Sequence, residues 1–175
     1  MNTRAPRGFT LIELMVALAI AVVLLVLAMP NYGRWLADSE IQNGAQSLAG
    51  ALRFAQAEAV KRNDKIQLVL DSTTGTGGWS AQLVDGTVVQ DSYFGEGAAR
   101  MAFAVVPAGL TTVTFNGLGM IDAANADATA PFERVDISSS VTGTNPLRIL
   151  VGGSRTGIKI CSTSYTWPDP KACPP

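Results

Sequence analysis

The stretch from Phe9 to Met29 constrains this chain more than any other. Its 21 residues are all apolar or small except Thr10 and Glu13. Wound into a helix at about 1.5 Å per residue, it reaches about 30 Å, the thickness of a bilayer's hydrocarbon core. The chain of 175 residues must therefore give one segment to an apolar environment and build its core from the rest. From Asp38 onward there is enough chain for a real core.

Three readings of that run compete. A secretory signal has an apolar region of about 7–15 residues followed by a small-x-small cleavage site. This run is longer, and Val26-Leu27-Ala28 fits such a site poorly. A plain membrane anchor is the second reading. Arg4 and Arg7 precede the run, so the positive-inside tendency puts the N-terminus in the cytoplasm and the remainder outside. Glu13 argues against a mere anchor. An ionisable residue within a span costs roughly 2.5–3.5 kcal/mol on insertion scales and marks a function with a partner.

The third reading comes from the residues around that glutamate. Gly8-Phe9-Thr10-Leu11-Ile12-Glu13, after a short basic leader and before an apolar tail, resembles the class III leader of type IV prepilins and type II secretion pseudopilins. The resemblance implies cleavage after Gly8 by the prepilin peptidase/methyltransferase and N-methylation of the new terminus, Phe9. It also implies that Glu13 pairs with the amine of a neighbouring subunit's first residue. Pro30, the twenty-second residue from Phe9, fits the helix-breaking proline of many pilins. In a low-dielectric bundle the attraction between ammonium and carboxylate is far stronger than in water, and only one axial stagger relieves both buried charges.

Beyond Pro30 the pattern stays helical. Ile41, Ala45, Leu48, Leu52, Ala55 and Ala59 recur at spacings of four and three, one stripe of an amphipathic helix, while Gln42, Gln46, Arg53, Gln56 and Lys61 lie off it. Asp38 or Ser39 is placed to cap a start, and Lys61-Arg62-Asn63 suits a C-terminus. Gly44 and Gly50 each cost up to about 1 kcal/mol against alanine, so this helix needs tertiary support. From Lys65 the pattern changes to short β-prone runs. Ile66–Leu70 is followed by a Gly-rich loop, and a hairpin is expected around Asp85-Gly86 as a two-residue type I′ turn. Further strands are expected in RMAFAVV, LTTVTFNGLGMI, FERVDIS and the paired ends of LRILVGGSRTGIKIC, with a loop from Asp122 to Pro131. A helix followed by antiparallel strands is an α+β arrangement.

This part, through FAQAEAVKRND, TFNGLG and GIKIC, is similar to the GspH/FimT group of minor pilins and pseudopilins. The group implies a pilin-like fold: a long N-terminal helix, transmembrane and then amphipathic, packed on an antiparallel β-sandwich head. The expected organisation is a leader at 1–8, a membrane or filament-core helix at 9–30, an amphipathic helix at 31–64 and a periplasmic head at 65–175. Cys161 and Cys173 stand twelve apart. An extracytoplasmic head permits a disulfide between them, the alternative being two unlinked thiols. Closing that loop contributes about 3 kcal/mol in the chain-entropy model.

Composition narrows the function. The chain has no histidine, two cysteines and a net charge of −1. Without histidine it lacks the commonest general base and cannot build the usual His/Cys metal sites, and it has no Walker-type loop. Neither catalysis, a metal nor a cofactor is expected. The expectation is a structural subunit of a type IV pilus in the inner membrane, with other pilins, the processing peptidase and membrane lipid as partners. A type II secretion pseudopilin is the alternative. A DNA-receptor role is a second alternative, since some FimT-like pilins use a Gly-Arg-x-Arg motif. The matching stretch here, Gly157-Ile158-Lys159-Ile160, keeps one basic residue, and Arg148, Arg155 and Lys171 are the other candidate contacts. Scattered cations on an acidic chain read first as solvated strand ends, so nucleic acid is not the expected partner.

Overall fold

The computed structural model describes residues 10–73, 77–95, 100–152 and 157–174. Thr10 is extended, and its hydroxyl accepts a hydrogen bond from the Glu13 N–H at 3.3 Å, satisfying one of the open donors of a helix start. Helix α1 then runs without interruption over Leu11–Arg62, 52 residues. It stops where Asn63 turns left-handed at φ 50°, with Lys61 and Arg62 in the last turn, where the helix dipole favours cations. The Leu11–Leu27 and Asn31–Arg62 parts meet at a bend of 44°. Pro30 lies between them in sequence and has no N–H to donate to the helix ladder.

The separate helix start expected at Asp38 or Ser39 does not occur, because α1 passes straight through both. The Asp38 carboxylate is used elsewhere. It accepts the backbone N–H of Asn145 at 2.7 Å and the Asn145 side-chain amide at 3.3 Å.

The amphipathic stripe is where its spacing put it. Ile41, Ala45, Leu48, Leu52, Ala55 and Ala59 are all fully buried, widened by Ala37, Ala49 and Ala51. The small alanines let two four-stranded antiparallel sheets approach this one helix. The first sheet has the order β3-β2-β1-β5, from β1 Ile66–Asp71, β2 Gly78–Leu83, β3 Val88–Tyr93 and β5 Thr112–Phe115. The second has the order β4-β6-β7-β8, from β4 Met101–Val106, β6 Arg134–Ser139, β7 Leu147–Val151 and β8 Ile158–Ser162. Strands of both sheets contact α1. Alternation decides which residues face it: Ile66, Leu68, Leu70, Trp79, Ala81 and Phe115 from the first, and Phe103, Val135, Ile137 and Ile149 from the second, form one core with the helix stripe. Phe94 stacks on Phe103 at 4.4 Å between ring centroids, and the Trp79 indole donates to the Ser47 hydroxyl at 3.1 Å.

The hairpin between β2 and β3 forms, but with a different turn. The Gly86 N–H bonds the Leu83 carbonyl, and the Leu83 N–H bonds the Thr87 carbonyl, which leaves a three-residue loop of Val84, Asp85 and Gly86. Only Gly86 has positive φ (88°), whereas a type I′ turn needs it at both central residues. The Asp85 carboxylate accepts the Thr87 N–H, which holds the loop and lowers the acid's pKa.

The 122–131 loop is tied to the free edge of β5, where the Asp122 N–H bonds the Thr114 carbonyl and the Phe132 N–H bonds the Thr112 carbonyl, and it is fastened by Asn125. The side-chain amide of this buried residue donates to the carbonyls of Thr112 and Ala130 and to the Thr129 hydroxyl, while its oxygen accepts from the Thr114 hydroxyl at 2.8 Å.

Candidate functional site

The sheets use only the C-terminal part of α1. From Leu11 to Leu27, and again at Met29, the side chains are exposed, with Leu11 at 76% and Met29 at 75%. Soluble monomers rarely expose apolar patches beyond a few hundred Å², so a face of this size marks contact with lipid or another protein. No single helix among the described residues is long and apolar enough to cross a membrane. The bent pair Leu11–Leu27 with Asn31–Arg62 passes that test together, by length and composition.

Glu13 sits in the first turn of α1, where the N-terminal end of the helix dipole favours a carboxylate. Among the described residues no basic side chain forms a salt bridge with it. Thr10 and Glu13 have the Thr-x-x-Glu spacing of a capping box, a signal the sequence carries in plain view. Gly8 and Phe9 lie outside the described residues. Pro30 is inside the helix.

At the base of the head, the loop between β6 and β7 grips the helix. Asn145 binds Asp38, and a Cβ added to Gly143 would lie 3.4 Å from the Arg34 guanidinium, so the Arg34 side chain runs against that loop. At the far end of α1, Glu58 accepts from Lys61 and Arg62, both at 2.8 Å. Its side chain is 11% exposed, and those two hydrogen bonds hold its pKa below the ordinary carboxylate value, against the opposing effect of burial.

Cys161, on β8, is bonded to Cys173 with an S–S distance of 2.00 Å. The bridge holds the C-terminal segment beside the sheet edge, where the Ser162 N–H also bonds the Lys171 carbonyl at 2.8 Å.

Among the described residues, the candidate DNA contacts Arg148, Lys159 and Lys171 do not assemble into a free basic patch. Arg148 grips the Asp136 carboxylate through Nε and, at 3.0 Å, through Nη2, and this bonding raises its pKa. Lys159 is exposed on β8, and Lys171 lies over the Tyr165 ring at 5.7 Å from its centroid. Arg155 is outside the described residues. A groove of about 1040 Å³ beside Arg148 is also lined by Arg134, Asp122 and Glu133, so its cations and carboxylates balance.

Comparison with known proteins agrees with this layout. The family model described as "Type II transport protein GspH" matches residues 44–161, and the one described as "Prokaryotic N-terminal methylation motif" matches residues 3–29. Type II secretion system protein H of Pseudomonas aeruginosa PAO1 is 43% identical over 68 residues, which cover 39% of this chain and 40% of that relative. The matched part is thus less than half of the relative's length. Among solved structures, the type IV minor pilin FimU of Pseudomonas aeruginosa PAO1 superposes with a TM-score of 0.52 at 21% identity, covering 73% of this chain and 92% of that one. At that identity the likeness is one of fold.

Proposed function

The chain belongs to the family described as type II transport protein GspH, and from that premise we propose that it is a minor pilin, a structural subunit stored in the inner membrane and drawn into a type IV pilus. The observation that carries the proposal is the pairing of an exposed apolar half-helix with a single carboxylate, Glu13, in its first turn. Lipid covers that surface in storage, and neighbouring subunits cover it in the filament. Cleavage between Gly8 and Phe9 by the prepilin peptidase/methyltransferase creates the amine that Glu13 of the next subunit neutralises. The partners are other pilins, and the head faces the periplasm. In this reading the chain acts as a structural subunit.

The test is Glu13→Ala in a piliated host. The variant should remain in the inner-membrane fraction, while its amount in sheared filaments falls about tenfold or more, as expected for removing one member of a pair and leaving the other charge buried. Incorporation equal to the parent rejects the proposal.

A second reading, a pseudopilin of type II secretion, is favoured by the 43% identity to protein H of that system. Deleting the gene separates the two. Loss of surface filaments supports the pilus, and loss of exoprotein secretion with intact filaments supports the secretion system. A DNA-receptor role gains nothing from Arg148, whose guanidinium is held by Asp136.

A further inference from the structure

Directly after the apolar run, Tyr32 and Trp35 are exposed at 62% and 63%, and their rings pack together at 5.9 Å between centroids. They are one helical turn apart with exposed Arg34 between them. At 100° per residue Trp35 is turned about 120° from Ile41, so the head does not cover this side. From Leu11 to Met29 the helix rises about 27 Å, close to the hydrocarbon thickness, which sets the aromatic pair about one turn further on, at headgroup depth. Trp and Tyr collect at that depth because each joins an apolar ring to a polar N–H or O–H, and an arginine there reaches phosphate oxygens. The β6–β7 loop comes down to the same level, since Gly143 lies against Arg34.

We infer that Tyr32, Arg34 and Trp35 form an interfacial anchor that seats the base of the head on the phospholipid headgroups of the leaflet facing it. The inference rests on the membrane reading of Leu11–Met29. It adds a second membrane contact, one that fixes the depth of the helix. Continuity with the apolar surface commits this face to lipid while the subunit is stored.

The test uses the full chain in phosphatidylethanolamine–phosphatidylglycerol vesicles carrying brominated lipids. Trp79 is buried in the head and Trp167 lies on the C-terminal segment, so quenching that disappears in Trp35→Phe reports Trp35 alone. Bromine near the headgroup should quench that component more strongly than bromine near the acyl-chain end. The same vesicles are treated with protease to ask whether Leu11–Met29 is protected. A protected helix with no Trp35-dependent quenching overturns the anchor and leaves the membrane reading standing. Strongest quenching from the chain end also overturns it, because the ring then sits too deep. An unprotected helix removes both. Shielding of Trp35 only in assembled filaments assigns the pair to a neighbouring subunit and rejects the lipid anchor.

Discussion

The side chain of buried Asn125 makes four hydrogen bonds: two, with the Thr114 hydroxyl and the Thr112 carbonyl, tie the 122–131 loop to β5, and two, with Thr129 and Ala130, close the loop on itself. Replacing it with alanine leaves the Thr114 hydroxyl and the Thr112 carbonyl short of partners. A loss of about 1–3 kcal/mol is expected, read as a lower urea midpoint at unchanged slope. A parental midpoint rejects that role. Glu58 gives a pH test. Its folded pKa lies below the ordinary 4.5, so its contribution is full above about that pH and fades as pH falls through the lower folded value. Glu58→Gln should therefore lose stability less steeply on acidification below that range than the parent does. Superimposable acid limbs would exclude the linkage. Neither residue stood out in the sequence. An asparagine in a loop and a glutamate ahead of Lys-Arg are ordinary until the fold brings Thr114 and a buried helix face to them. Thr10 was different, because its Thr-x-x-Glu spacing is local and readable.

Local spacing also explains which elements were legible. The stripe from Ile41 to Ala59 and the short β-prone runs depend on near neighbours, and all of them formed. The turn at Asp85-Gly86 differs from the sequence expectation because one left-handed glycine suits two kinds of hairpin, and the pairing of Leu83 with Thr87 selects between them. The meeting of two sheets on one helix is a long-range outcome that periodicity does not encode. The two helical glycines diverge for the same reason. A Cβ at Gly50 would meet nothing within 4 Å, whereas at Gly44 it would lie 3.1 Å from the Met101 sulfur. Gly50→Ala should stabilise the head by about 0.5–1 kcal/mol through helix propensity. Gly44→Ala should gain less, because Met101 has to move. Thermal melts of the two variants side by side decide this, and an equal gain would mean that Met101 yields freely.

At the scale of the whole molecule, among the described residues the core begins at Ala37 and takes nothing from the apolar half of α1. Removing residues 1–30 should leave a head that melts cooperatively with unchanged β content by circular dichroism. A non-cooperative melt would show that the apolar half supports the fold. The sequence made this division plain, since hydropathy alone separates the run from the rest. What it could not supply was the junction, where Arg34 and Asp38 meet the β6–β7 loop across more than a hundred residues of chain.

The continuity of α1 across that junction has a mechanical consequence. A pull on the apolar half reaches Asn31–Arg62 through the 44° bend, and its component along that axis loads the head's attachment. The buried stripe from Ala37 to Ala59, about 33 Å long, is then stressed in shear, with its side chains resisting together rather than peeling away one by one. The Asp38–Asn145 clasp stands at the loaded end.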